Sequence, residues 1–327
     1  MFVLTDPTTL PIRIAHHGGT FFLMPSQFFM PFPKPPTTTG AQIALLKQRG
    51  LQIIDENEVE RWLTNVSYYR LGGYFWPLQQ DKINHIFIPG TTWKMITNRY
   101  EFDRELRITV FAVIERIEIS VRTRLIYHFS HLFHSNWFDD ARLFKNPKFF
   151  QDNLTLIDKD LSKSKDESIL NHYRKYSSRT RPPAWKTLEI LSLGLLSKLY
   201  SNLADSRGKN EIARSFSLPH YKVLENWLQG INIIRNICAH HGRLWDRILS
   251  IPMVPLYNSH NWMNLDIPEN DLNKLFIPLS ALQFLSTKLD EDQLFAERIK
   301  NLFRLYNDLE KEMGFPLNWN HELVWRS

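Results

Sequence analysis

The sequence predicts a mostly α-helical protein, and three observations carry that expectation. Apolar residues recur at intervals of three and four across residues 92–133, placing Leu106, Val110, Val113, Ile114, Ile117, Val121 and Leu125 on one stripe. Helix-start and helix-stop signals punctuate the chain elsewhere: Asp55 with Glu58 at capping-box spacing, Gly50 behind one helical run, and Ser217 and Pro219 before another that Gly242 ends. The stretch from Trp76 to Trp93, with Asn84, Pro89 and Gly90, reads as a loop or short hairpin.

Taken in order, residues 1–29 read as an extension or as the product of an upstream start, with Met24 or Met30 as the alternative first residue. Their Phe and Leu content argues against a freely solvated tail. Helices are expected at 40–49 and 56–65. Tyr68–Phe75, interrupted by Gly72 and Gly73, reads as a turn docked on the core, or alternatively as a platform where Tyr68, Tyr69 and Tyr74 stack unpaired bases beside Arg70. The helix over 92–133 would be a rod of roughly 60 Å, with room for a break near its middle. Its charges, Asp103 with Arg107 and Glu118 with Arg122, are expected on the outer side as i,i+4 pairs. Further helices are expected at 147–163, 166–175, 184–204, 207–215, 219–241, 269–288 and 291–312. These group as an N-terminal helical subdomain over 30–95 and a larger helical domain over 96–327, with no internal repeat.

Composition sets limits. Hydrophobic residues at 43% and charged residues at 23% suit a globule with a substantial core. The single cysteine, Cys238, excludes an internal disulfide and any multi-cysteine zinc site, and fits a reducing cytoplasm. No apolar run reaches the ~18 residues of a membrane span, and the first residues lack the pattern of a secretory signal. A net charge of +6 permits nucleic-acid binding without requiring it, so tight binding would need a local basic surface. Candidates for that surface are Arg243 with Arg247, the group Arg174, Lys175, Arg179 and Arg181, and Lys34 with Arg70. No Gly-x-Gly-x-x-Gly, Walker-type loop or Gly-x-Ser-x-Gly elbow occurs, so nucleotide hydrolysis and serine-hydrolase chemistry have no foothold.

The densest chemistry lies at 235–247, Arg-Asn-Ile-Cys-Ala-His-His-Gly-Arg-Leu-Trp-Asp-Arg. On a helical wheel Leu224, Trp227, Leu228, Ile231, Ile234 and Cys238 form a buried stripe, with Asn236 and His240 nearly opposite and Arg235 flanking. Histidine can exchange protons near neutral pH, and a forked guanidinium can hold a phosphate, so Arg235 and His240 suit RNA cleavage without metal.

The Arg235-Asn236-x3-His240 arrangement resembles the active motif of the HEPN superfamily of RNA-cleaving helical proteins, and RNICAHHGRLW is similar to the abortive-infection proteins of the D/F group. Further matches follow in order: Lys34-Pro35-Pro36, Leu46 to Leu51, Tyr68 to Phe75, Tyr100 to Arg107, Ile114 to Glu118, and Met313-Gly314-Phe315-Pro316 with Trp319 and Trp325. They cover about residues 33–327. The resemblance implies a HEPN-type helical bundle, a homodimer whose two motifs converge, and a metal-independent endoribonuclease of a bacterial phage-defence system. It assigns catalysis to Arg235 and His240, with Asn236 orienting the site, and implies no cofactor. In some relatives a cognate small noncoding RNA neutralises the protein.

Plainer readings stand beside these. Arg235, Asn236 and His240 could be solvent-facing or cap a helix end. His241, Arg243 and Arg247 suit supporting roles, and Leu244 with Trp245 a packed corner. Arg122 and His128 could form a second half-site, or simply pair with Glu118 and lie near a helix end. His128, His131 and His134 share a spacing open to metal but lack a carboxylate at ligand distance. At the level of function the alternatives are a catalytically silent RNA-binding protein and a helical interaction module.

Overall fold

The computed structural model describes residues 35–176, 180–256, 262–263, 265, 267–289, 294–306 and 309–326. The expected extension 1–29, Lys34 and Arg179 lie outside the described residues. Twelve α-helices and one two-stranded hairpin make up the described chain, so the mostly α class holds.

The centre is α4 (Trp93–Leu132), a continuous helix of 40 residues, about 60 Å long. Thr92 caps it by accepting from the Met95 N–H, and no break occurs. Its stripe is buried from Trp93 to Phe129, including every apolar position expected from the periodicity. Around it pack α3 (Tyr68–Phe75), α8 (Leu193–Asn202), α9 (Ser206–Ser215), α10 (Tyr221–Ala239), α11 (Phe276–Ser286) and α12 (Leu294–Leu305). Ahead of it, α1 (Thr39–Gln48) pairs with α2 (Glu56–Val66), and a hairpin of β1 (Gln79–Asp81) and β2 (Ile86–Phe87) fills the expected loop region. Between α4 and α8 run α5 (Pro147–Lys163), α6 (Glu167–Lys175) and the short α7 (Ala184–Thr187).

Four sequence expectations are corrected. Tyr68–Phe75 is helical, not a turn: Ser67 caps α3 through the Arg70 N–H, and Gly73 serves packing. A Cβ on Gly73 would meet the Arg243 side chain at 3.4 Å, and the Gly73 carbonyl accepts from Arg243 Nη1 at 2.8 Å. The run 184–204 is broken into α7, a 3-10 turn at Leu188–Ile190 and α8, which Ser192 caps. The carbonyls freed at that break, Leu188 O and Leu191 O, each accept from Arg122 at 2.9 Å. The runs 269–288 and 291–312 are likewise shorter, with α11 starting at Phe276 and α12 ending at Leu305.

The fourth correction concerns charge. Asp103, Arg107 and Arg122 are buried, not on an outer face. Asp103 accepts from the Tyr74 hydroxyl at 2.5 Å, from Arg107, and from the Leu244 and Trp245 N–H groups at 2.9 and 2.6 Å. One carboxylate thus joins α3, α4 and the turn after α10. Burial raises its pKa, and Arg107 with the backbone donors opposes that rise. Burial likewise lifts the Tyr74 hydroxyl's pKa, reinforced by Asp103, so Tyr74 stays a donor.

Asp103→Ala is expected to lower unfolding free energy by about 3–5 kcal/mol, because it strands a buried guanidinium and three further donors. Urea denaturation followed by circular dichroism measures it; a loss below 1 kcal/mol would show that the carboxylate is replaceable.

Candidate active site

The helix α10 delivers the 235–247 motif, and its local sequence explains where the motif residues point. Leu224, Trp227, Leu228, Ile231, Ile234 and Cys238 are buried, as the wheel requires. Asn236 and His240 are consequently exposed, and Arg235 is half-buried. The helix starts at Tyr221, two residues later than Pro219 suggests, because His220 caps it through the Lys222 N–H.

Its end is a Schellman turn. His241 N–H donates to Cys238 O at 3.0 Å and Gly242 N–H to Ile237 O at 2.8 Å. The residue in the left-handed region is His241, at φ 56°, not the glycine that the sequence marked as the stop. Its carbonyl accepts from Arg70 Nη2, and the Arg70 guanidinium lies 5.9 Å over the Tyr100 ring. Two arginines therefore fix this turn in opposite senses: Arg70 of α3 holds the His241 carbonyl, and Arg243 holds the Gly73 carbonyl of α3. Leu244 and Trp245 are fully buried behind it.

Arg235 is oriented by two neighbours. Its Nη1 donates to Asn236 Oδ1 at 3.3 Å, and its Nε lies 4.0 Å from Glu118 Oε2, too far for a hydrogen bond. That Nε is buried without an acceptor among the described residues. Glu118 in turn accepts from Arg122 at 2.9 Å. The His240 ring makes no hydrogen bond or ion pair with any described residue and is open to a ligand. Asn236 and His240 thus stand exposed near the end of α10, with the half-buried Arg235 on the flank of the same helix.

Other candidates divide clearly. Arg122 is committed to Glu118 and two carbonyls. His128 faces Glu211 at 3.7 Å, so it and Arg122 have separate partners. Tyr74 is buried and Tyr68 accepts from Arg49 at 2.7 Å, whereas Tyr69 is 94% exposed. Arg247 is exposed. Arg181 bridges Asp139 and Asp158, which raise its pKa further, and Arg174 pairs with Glu167, so these two arginines are committed to carboxylates. His131 bonds the Tyr127 carbonyl and His134 lies 3.4 Å from Asp140; among the described residues no cluster of three or more potential ligands could hold a metal.

Two clefts flank the motif and meet on α4, both lined by Phe111 and Glu115. The larger, about 930 Å³, adds Arg70, Arg104, Arg107, Cys238 and His241. The smaller, about 350 Å³, adds Glu118, Arg122 and Arg235. On the same side of α4, Ile108, Phe111 and Ile119 are 53%, 37% and 53% exposed, an apolar stripe of the kind that partner subunits cover. This stripe lies on the face of α4 away from the buried one and is interrupted by Glu115, so the apolar periodicity did not mark it.

Residues 61–246 match the family of Abi-like proteins, a span that includes α3, α4 and all of α10 with its motif. The chain belongs to that family, and the membership points to abortive-infection phage defence. No curated protein and no solved structure matches it. No described helix is long and apolar enough to cross a membrane.

Burial pushes the Cys238 thiol up to about 12, so it is held protonated beside the motif. Alkylation by iodoacetamide at pH 8 is expected to be roughly a hundredfold or more slower in the folded chain than in urea, since the thiolate is the nucleophile. Comparable rates in both states would mean that Cys238 is open to solvent.

Proposed function

We propose that this Abi-like protein is a metal-independent endoribonuclease of the HEPN superfamily, related to the D/F group, acting in phage defence. The observation that carries the reading is the composition of the exposed end of α10: an unbonded His240 imidazole beside Asn236, with the Arg235 guanidinium held near but not on Glu118.

The chemistry follows from those groups. The RNA 2′-oxygen attacks the adjacent phosphorus as its proton passes to an imidazole. The new O2′–P bond forms while the P–O5′ bond breaks, and the departing 5′-oxygen takes a proton from a second imidazole. The products are a 2′,3′-cyclic phosphate and a 5′-hydroxyl. Arg235 stabilises the charge gathering on the non-bridging oxygens with its forked guanidinium. Asn236 holds the guanidinium's direction.

A single chain offers one His240, whereas the reaction needs a proton acceptor and a proton donor. A two-fold homodimer supplies both. The exposed Ile108, Phe111 and Ile119 stripe lies next to the motif and suits a second copy. A cognate small noncoding RNA would act by occupying the same polar face.

His240→Ala and Arg235→Ala should each reduce cleavage at least about a hundredfold, with EDTA leaving the wild type unchanged. Gel assays on total RNA, with mapping of 2′,3′-cyclic ends, test this. Full activity in either variant, or inhibition by EDTA, would refute the mechanism and leave silent RNA binding or an assembly role.

Phe111→Arg should convert the dimer to monomer in light scattering and lose activity with it, because a buried unpaired charge would face the partner. A wild-type chain that is monomeric at all concentrations would end the composite-site reading.

A further inference from the structure

A second pocket lies away from the motif, between α5, α8 and α10, with a volume of about 680 Å³. Its lining is unusually rich in side-chain amides and hydroxyls. Two of these are orphaned: Asn153 is 3% exposed, yet its Nδ2 has no acceptor, and the buried Ser201 Oγ is likewise without a partner. Groups left unpaired in an interior are costly, so the site suits a polar occupant. Gln229 and Asn232 of α10 add two more amides that bond no described residue.

The remaining walls offer an aromatic face for a flat heterocycle and charges of both signs at the rim, Lys145 and Lys198 beside the Asp152 carboxylate. Phe149 is 58% exposed at the rim and offers an aromatic face. Lys198 stands exposed beside it. Carboxamides carry a donor and an acceptor in one plane, which matches the edge of a nucleobase and adenine's N6/N7 pair in particular. Aromatic stacking with edge hydrogen bonds is how proteins read unpaired RNA bases.

The pocket is also in register with the motif. Gln229 is seven residues before Asn236, and Ile233, another lining residue, seven before His240. Seven residues are two helical turns, so the pocket shares one face of α10 with Asn236 and His240, about 10 Å apart. That is within reach of one to three nucleotides of a strand whose stacked rise is about 3.4 Å.

We propose that this pocket reads a nucleobase, adenine by preference, one to three nucleotides from the phosphate placed at Arg235 and His240. The assignment rests on the nuclease reading for its strand, but the pocket's affinity for a nucleotide does not.

Binding of each of the four ribonucleoside 5′-monophosphates to the full chain, by calorimetry, is the first arm. AMP should bind best, and its affinity should fall at least tenfold in the Gln229→Ala/Asn232→Ala double variant and in Asn153→Leu, with circular dichroism and subunit mass unchanged. The second arm sequences the ends cut from a random RNA pool. Wild type should favour one base at a fixed offset, and the double variant should flatten that preference while still cutting.

An RNA oligomer blocked by 2′-O-methylation should compete with AMP. AMP binding without such competition would make the pocket a site for a free nucleotide and overturn the strand assignment. AMP binding in a chain that cuts no RNA would sink the nuclease reading alone. Undetectable binding of all four nucleotides, together with unchanged cleavage preference in the double variant, would overturn the pocket proposal alone.

Discussion

Asp103 is the interaction on which the arrangement of the motif depends. Its carboxylate has no solvent exposure and receives donors from three places: the Tyr74 hydroxyl of α3, Arg107 one turn along α4, and two successive N–H groups behind α10. Hydrophobic burial draws the helices together but is indifferent to small rotations. A fully bonded buried carboxylate is directional, so it fixes the angle at which the chain leaves α10. The turn carrying His240 and His241 inherits that angle. Arg70 and Arg243 then act as a reciprocal clamp between α3 and the turn.

This accounts for what the polar residues near the motif do. Several of the arginines that the sequence offered to RNA are structural in this chain: Arg122 is buried, Arg70 and Arg243 hold backbone carbonyls, and Arg181 bridges two aspartates. Among the described candidates, the exposed side chains include His240, His241, Asn236, Tyr69 and Arg247, with Arg235 half-buried. A modest positive charge is thereby compatible with a site that acts on phosphate through a few placed groups.

The helices themselves were legible because their signals are local. Asn146 and Pro147 open α5 where the sequence placed it, and the apolar wheel of α10 sorted buried from exposed positions correctly. Failures occurred where the deciding partner lies far along the chain. Nothing around residues 184–204 shows that Arg122 will accept the task of bonding two freed carbonyls, so the break there was invisible. Gly73 looked like a helix breaker because the arginine that needs the space is 170 residues away. The pair Asp103–Arg107 looked like surface decoration for the same reason. Within the site, the polar face was legible, whereas the left-handed His241 and the pocket beside Asn153 arise only from packing.

The separation in sequence of those deciding contacts has a consequence for how the protein comes into being. Trp245 N–H reaches Asp103 across 142 positions, and Arg70 reaches His241 across 171. Contacts of that span form late, because a long loop must close before they contribute. A chain growing on the ribosome could wind α4 early, but its carboxylate hub would stay open until residue 245 had emerged. The turn that presents His240 would have no fixed shape before then. In the proposed nuclease the motif would thus stay unformed, by topology alone, until residue 245 had emerged.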